Sequence, residues 1–271
     1  MSRNKPKGRV LIVAGSDSGG GAGIQADIKT VTALGGFAMT SITAITVQNT
    51  LGVTGVHAVP TETVRGQIEA VMGDLGADVW KLGMLGSADH VRTVLDAWYA
   101  VGDGVPVVLD PVMIAKGGAS LLAEDAIEVI RDQLLPIAAI VTPNAPEAEA
   151  LTGVEVRDLD GQINAAEILV EQLGAFSALV KGGHVEGEII RDVLLTREGY
   201  RVFEGPRIDT LATHGTGCTL ASAIAAYMAL GIAIEPAVEK AREYLQEAIR
   251  HAPGLGRGHQ PLGHGWPCKL A

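Results

Sequence analysis

A chain of 271 residues with a 47% hydrophobic composition holds enough apolar material for a large core, which excludes an intrinsically disordered protein. A formal charge of −10, with no Lys/Arg cluster beyond Arg3, Lys5, Lys7 and Arg9, argues against a nucleic-acid partner. Two cysteines, Cys218 and Cys268, make no disulfide framework, so a reducing cytoplasm is the simpler setting.

Residues 1–8 read as a basic tail. The apolar run 9–14 reads as a buried strand ending at Gly15, and it is too short for a signal-peptide core. A glycine-rich loop over 16–23 follows, then Ile24, Ile28, Val31 and Leu34 recur on one helical face until Gly35 and Gly36 stop it. Strand, loop and helix suggest a dinucleotide site. However, Gly19, Gly21 and Gly23 are spaced G-x-G-x-G, and no acidic residue closes a second strand about 20 residues on. A Rossmann dehydrogenase is rejected on that spacing.

A second strand is expected over 37–47, leading into Gln48, and a short one over 53–59. A helix over 61–75, with Thr61 as its cap, precedes a strand over 78–82 that closes on Gly83 and Met84. Helix 88–100, strand 105–109 and helix 123–135 follow, with Asp110 and Pro111 stopping the strand. Strand 138–141 ends at Thr142, Pro143 and Asn144; helices 145–152 and 161–173 then lead to strand 176–180, which ends at Lys181. A hairpin pairs 189–195 with 200–203. The last helices are 217–230 and 235–250, the second amphipathic through Ala237, Val238, Ala241, Leu245 and Ile249. The Gly- and Pro-rich run 252–271 is expected to be irregular. Two long uncharged stretches approach the length of a bilayer span. The first, 215–234, is rich in small residues and follows a loop. The second, 30–61, is broken by Gln48, Asn49, Gly52 and Pro60, so a soluble protein is expected.

Strand–helix alternation predicts an α/β fold with a mostly parallel sheet covered on both faces, in a single domain over 1–271. Ligands of such sheets sit beyond the carboxyl ends of the strands. Those ends carry Gly15, Gln48, Met84, Asp110, Thr142 with Asn144, and Lys181. Read singly, each has an ordinary explanation. Asp110 could cap a turn, Glu147 could favour a helix dipole, and Lys181 could cover the sheet end with its head in water. The stretch 213–218, alone, favours a close-packing turn with a buried thiol at Cys218. Taken together they differ. Gly215, Thr216 and Gly217 would open a helix whose first amides seat an anion, while Lys181, Asp110 and Glu147 supply a cation and magnesium-binding carboxylates. These are the parts of a phosphoryl-transfer site, without the G-x-x-x-x-G-K-[ST] loop or the protein-kinase motifs.

Seven segments carry a resemblance: AGSDSGGGAGIQAD at 14–27, ITAITVQNT at 42–50, KLGML at 81–85, VLDPVM at 108–113, VTPNAPEAE at 141–149, VKGGH at 180–184 and THGTGC at 213–218. In this order they resemble the ribokinase superfamily, and within it the bacterial hydroxymethylpyrimidine/phosphomethylpyrimidine kinases. The resemblance implies a ribokinase-like three-layer α/β/α sandwich. It also implies transfer of phosphate from ATP, with Mg²⁺, to 4-amino-5-hydroxymethyl-2-methylpyrimidine and then to its monophosphate. Gln48 would read the aminopyrimidine edge, with Gly15, Asp27, Met84 and Val112 beside it. Asp110, Thr142, Asn144, Lys181 and Thr213 would serve ATP, and Glu147 with Asp110 the metal. Cys218, where sugar kinases of the superfamily carry Asp, would accept the hydroxyl proton, its thiol pKa lowered by the helix start from about 8.5. The resemblance further implies a homodimer, for which the apolar region 37–59 could supply a surface, and leaves no room for a fused thiamine-phosphate synthase. A pyridoxal kinase of the same superfamily and a catalytically silent pyrimidine-binding regulator stay open as alternatives.

Overall fold

Val10, Ile12 and Ala14 face one side of strand β1 (Arg9–Asp17) and Leu11 and Val13 the other, and all five are buried. A strand buried on both faces belongs at the centre of a parallel sheet. The computed structural model, which describes residues 8–113 and 124–268, puts β1 there. Residues 1–7 of the basic tail, the expected helix start at Ala123 and residues 269–271 lie outside the described residues.

The other strands are β2 (Phe37–Asn49), β3 (Gly52–Ala58), β4 (Val79–Leu82), β5 (Val107–Leu109), β6 (Ala138–Val141), β7 (Ala178–Val180), β8 (Ile189–Thr196) and β9 (Gly199–Pro206). They form one nine-stranded sheet in the order β3-β2-β1-β4-β5-β6-β7-β8-β9. Pairing is antiparallel at β2–β3, β7–β8 and β8–β9 and parallel elsewhere. One face carries α1 (Gly23–Ala33), α7 (Thr216–Ala229) and α8 (Ile234–Arg250), packed on Val10, Ile12, Val108 and Ile140. The other carries α2 (Thr61–Asp74), α3 (Ala88–Ala97), α4 (Glu124–Val129), α5 (Ala145–Thr152) and α6 (Leu159–Glu167), packed on Leu11, Val13, Leu82 and Leu109. The result is a three-layer α/β/α sandwich of the ribokinase-like kind.

Boundaries move for identifiable reasons. β1 continues past Gly15 because Ser16 and Asp17 still pair with Ile45 and Thr46, across a register shift at Gly15. β2 runs on to Asn49 because Gln48 and Asn49 pair with Val53 and Gly52. β5 starts at Val107, not at 105, since Pro106 has no N–H to give the ladder. α6 starts at Leu159 because Asp158 Oδ1 caps it, accepting the Gly161 amide at 2.9 Å. Helices α3 and α6 then widen into π-helical turns at Trp98–Gly102 and Ile168–Gln172.

The uncharged helix is α7. Its Ala221, Ala223, Ala225 and Ala226 are fully buried between the sheet, α1 and α8. No helix among the described residues is long and apolar enough to cross a membrane. Residues 252–268 are irregular, as expected, yet they pack: Leu262 is buried against Ala212 and Ala248, and Trp266 stacks on His251.

Candidate active site

A cavity of about 320 Å³ lies beyond the carboxyl ends of the parallel strands. At one end β5 delivers Asp110 and β7 delivers Lys181, whose Nζ donates to Asp110 Oδ1 at 3.1 Å. Asp110 Oδ2 is buried and has no hydrogen-bond partner among the described residues. Gly217, in the first turn of α7, lies against this pair: a Cβ there would sit 3.2 Å from Lys181 Nζ and 3.7 Å from both Asp110 oxygens. The turn that aims α7 needs glycine at Gly215. Its φ is +79°, and a Cβ would collide with the Gly21 carbonyl. The first amides of α7, which have no acceptors within the helix, therefore start beside a buried ammonium and an unsatisfied carboxylate oxygen.

Glu147 completes this end. It and Asn144 form a capping box at the start of α5: Asn144 Oδ1 accepts the Glu147 amide at 2.9 Å, and Glu147 Oε2 accepts the Asn144 amide at 2.8 Å. Burial pushes the Glu147 carboxyl up to about 7, Lys181 opposing and Asp110 adding to the shift. Burial works against the charge on Lys181, but Asp110 and Glu147 outweigh it and hold the ammonium above its ordinary pKa.

Cys218 lines the same cavity and is partly exposed. Lowering of its pKa by the helix start is not found. Burial pushes the thiol up to about 12, with Lys81 the main opposing charge and Asp27 and Asp110 reinforcing the rise. Desolvation of the anion outweighs Lys81 and the one amide, that of Gly23, which favour it. Lys81 is fully buried in β4, where Asp27 Oδ1 and Oδ2 take its ammonium at 3.0 and 2.9 Å and Ser222 Oγ donates to Asp27 Oδ1 at 2.6 Å. Ser222 stands one turn beyond Cys218 on α7, so thiol and ion pair share a helix face.

Gln48, Met84, Gly15 and Val112 also line the cavity, with Met84 packed against Gly15 and Gln48 beside His214. Gln48 is pinned by its backbone, since Ser18 Oγ donates to its carbonyl at 2.7 Å and accepts its amide at 2.9 Å. Asp17 grips the glycine-rich loop through the amides of Gly19, Gly21 and Ala22, and also meets His214. Residues 259–264 buttress this region: the Gln260 carbonyl accepts the His214 amide at 3.1 Å, and Thr213 Oγ1 lies 3.1 Å from His259 Nδ1.

Comparison with known proteins places the chain. The family model for phosphomethylpyrimidine kinase matches residues 17–263. The chain belongs to the phosphomethylpyrimidine kinase family. It is 48% identical over 257 residues to the hydroxymethylpyrimidine/phosphomethylpyrimidine kinase of Bacillus subtilis, covering 94% of each chain. It is 49% identical over 259 residues to the thiamine biosynthesis bifunctional protein ThiED of Geobacter sulfurreducens, where 96% of this chain spans only 52% of that protein. Among solved structures, an ADP complex of Bacillus subtilis pyridoxal kinase superposes with a TM-score of 0.87 at 35% identity, covering 94% of this chain and 97% of that one. The relatives are named as kinases, which supports a phosphotransferase.

Within this chain the structure gathers Gly15, Gln48, Met84, Asp110, Val112, Asn144, Glu147, Lys181, Thr213, Gly215, Thr216, Gly217 and Cys218 around one cavity. Asp27 and Thr142 are corrections, for neither lines it. Asp27 is fully buried with its carboxylate taken by Lys81 and Ser222, and Thr142 is fully buried with its hydroxyl facing Leu109 and Asp110. Sequence reasoning missed Lys81, Asp17 and His214 as members of the site. The signal for Lys81 was present: a lysine inside the apolar strand Val79–Leu82 has to be paired.

Proposed function

We propose that this kinase moves the γ-phosphate of ATP to the hydroxymethyl oxygen of 4-amino-5-hydroxymethyl-2-methylpyrimidine and then to the monophosphate formed, yielding the diphosphate used in thiamine biosynthesis. The carrying observation is the Asp110–Lys181 pair, with its unsatisfied Asp110 Oδ2, set against the first turn of α7. Phosphoryl transfer is mostly positioning and electrostatic stabilisation, and a fixed cation beside helix-start amides supplies both. The ADP bound by the Bacillus subtilis pyridoxal kinase supports ATP as phosphate donor. Ile190, Pro206, Ile208, Leu245 and Ile249 offer apolar lining for its base.

Mg²⁺ fits the residues present. It takes one or two carboxylates together with phosphate oxygens and water. Asp110 Oδ2 is free to ligate and Glu147 lies close enough to interact with Asp110 and Lys181, while no group of three or more His, Cys, Asp or Glu gathers among the described residues. When bound, the ion would offset the charge of the phosphate oxygens.

In the first transfer the hydroxymethyl oxygen forms a bond to the γ-phosphorus as the bond to ADP breaks, and its proton passes to the Cys218 thiolate. In the second transfer the acceptor is already a phosphate and needs no such base. The test is a two-substrate assay with ATP and Mg²⁺ that follows mono- and diphosphate separately across pH. A thiol held near 12 is mostly protonated at neutral pH. Alcohol phosphorylation is therefore expected to rise with pH through the neutral and alkaline range, while monophosphate phosphorylation stays flatter. Cys218→Ala should cut the first by about 10²-fold or more and the second far less. Equal losses would sink the differential role, and no ATP-dependent product would sink the whole reading.

The likeness to pyridoxal kinase supports pyridoxal as a second acceptor, and running it in the same assay decides whether the Gln48 end prefers the aminopyrimidine. A cytoplasmic homodimer completes the proposal. Ile45 and Val47 are exposed on one face of β2 and Val56 on the opposite face of the edge strand β3, and exposed apolar residues at a sheet edge suit subunit pairing. Sedimentation at micromolar concentration should show two chains; Val47→Lys with Val56→Lys should shift the species to one, and a monomeric wild type would dismiss the pairing.

A further inference from the structure

The two ends of the Gln48 carboxamide differ only in hydrogen-bonding role, so the neighbours decide which way round it sits. Its Oε1 lies 3.0 Å from Thr46 Oγ1, and its Nε2 lies 3.4 Å from His214 Nε2. The same His214 nitrogen lies 2.9 Å from Asp17 Oδ2. Asp17 also accepts the amides of Gly19 at 2.7 Å, Gly21 at 3.0 Å and Ala22 at 2.9 Å. Burial would raise its pKa, but His214 and these amides outweigh burial and hold it below the ordinary carboxylate value. Asp17 is thus an anion surrounded by donors, and the 2.9 Å contact requires a proton on His214 Nε2. A protonated Nε2 cannot accept from a Gln48 N–H.

The other end conflicts in the same way. Thr46 Oγ1 lies 2.9 Å from the Ser16 carbonyl, which can only accept. The single hydroxyl proton goes there and leaves none for a Gln48 oxygen. Turning the carboxamide half a turn satisfies every group. Gln48 Nε2 then donates to Thr46 Oγ1, and Gln48 Oε1 accepts from His214 Nε2–H, which it shares with Asp17.

We propose that His214 is a positioning residue for specificity: its Nε2–H, fixed by Asp17, sets the Gln48 carboxamide with Oε1 toward His214 and Nε2 toward Thr46. That orientation selects a ring edge whose amino group meets Oε1 and whose adjacent ring nitrogen meets Nε2. An edge with oxygen in place of the amino group would set acceptor against acceptor. The inference rests on Gln48 as the residue that binds the aminopyrimidine.

The test compares His214→Leu, which removes the donor, with His214→Gln, whose amide nitrogen can restore an N–H, and Thr46→Val, which removes the acceptor at the other end. His214→Leu and Thr46→Val are each expected to raise KM for the pyrimidine alcohol about tenfold with kcat within about threefold, and His214→Gln to recover most of the loss. Preference for the 4-amino substrate over its 4-hydroxy analogue should narrow in His214→Leu. In a Gln48→Ala background His214→Leu should add nothing, because it acts through Gln48. A loss in kcat with KM unmoved, or an equal cost in the Gln48→Ala background, overturns the inference. If Gln48→Ala alone leaves the pyrimidine KM unchanged, the binding reading of Gln48 falls and takes this inference with it. If Gln48→Ala raises KM and His214→Leu does not, only the inference falls.

Discussion

Lys181→Met is expected to lower kcat/KM by about 10²–10³-fold for the alcohol and the monophosphate alike. Both transfers move the same γ-phosphate past the same ammonium, so the loss cannot depend on the acceptor. Methionine keeps the unbranched shape and most of the length of the side chain while removing its charge and donors, which limits the packing change. It also leaves Asp110, 1% exposed, without its cation, so the fold of the variant needs its own control. Asp110→Asn with Lys181→Met removes both charges and serves as that control; it should fold and stay inactive. Steady-state kinetics with both acceptors checks the point. A loss confined to one acceptor would take Lys181 away from the transferring phosphate, and contrasts with the acceptor-dependent loss expected of Cys218→Ala.

Lys81→Met is expected to destabilise the protein by about 3–5 kcal/mol, because it strands the Asp27 carboxylate in the core without a partner. Both side chains of this pair are 0% exposed, so water offers no relief. Asp27→Leu combined with Lys81→Met should recover most of that loss, since an apolar pair carries no desolvation penalty. Urea unfolding checks both: the midpoint should fall in the single variant and return in the double, with the slope unchanged. A single variant as stable as wild type would mean that the pair contributes nothing. The stable double variant is informative in a second way. It lacks both the ammonium that opposes the high pKa of Cys218 and the Asp27 carboxylate that reinforces it; the ammonium has the larger effect, so alcohol phosphorylation should fall more than monophosphate phosphorylation.

The alternation of apolar strands and amphipathic helices made the layers legible in the sequence, and the polar residues at strand ends marked the crevice. Periodicity reports which way a residue faces within its own element. It does not report what stands opposite. Asp27 shows the limit: its place on α1 was readable, but its partner Lys81 lies 54 residues away on β4, and that pairing holds its carboxylate inside the core. Cys218 shows another. A helix start suggests an acidic thiol, yet the outcome depends on burial and on Lys81, Asp27 and Asp110, which other elements supply. The Asp17–His214 contact joins residues 197 apart, beyond the reach of any local pattern. Pro106 and Asp158, by contrast, act on their own neighbours, and their effects on β5 and α6 could have been read directly.

The irregular run after α8 has a consequence for synthesis. His259 donates its amide to the Thr50 carbonyl, and the Gly258 amide reaches Thr50 Oγ1, a residue made 208 positions earlier. Gln260 and Pro261 likewise clasp His214. A polypeptide emerging from the ribosome therefore presents the glycine-rich loop and Gln48 long before the segment that braces them. The strand ends that carry Asp110 and Lys181 are complete by the time α7 appears, but the surroundings of Gln48 and His214 are finished last. The sheet strands are all synthesised before the segment that braces Gln48.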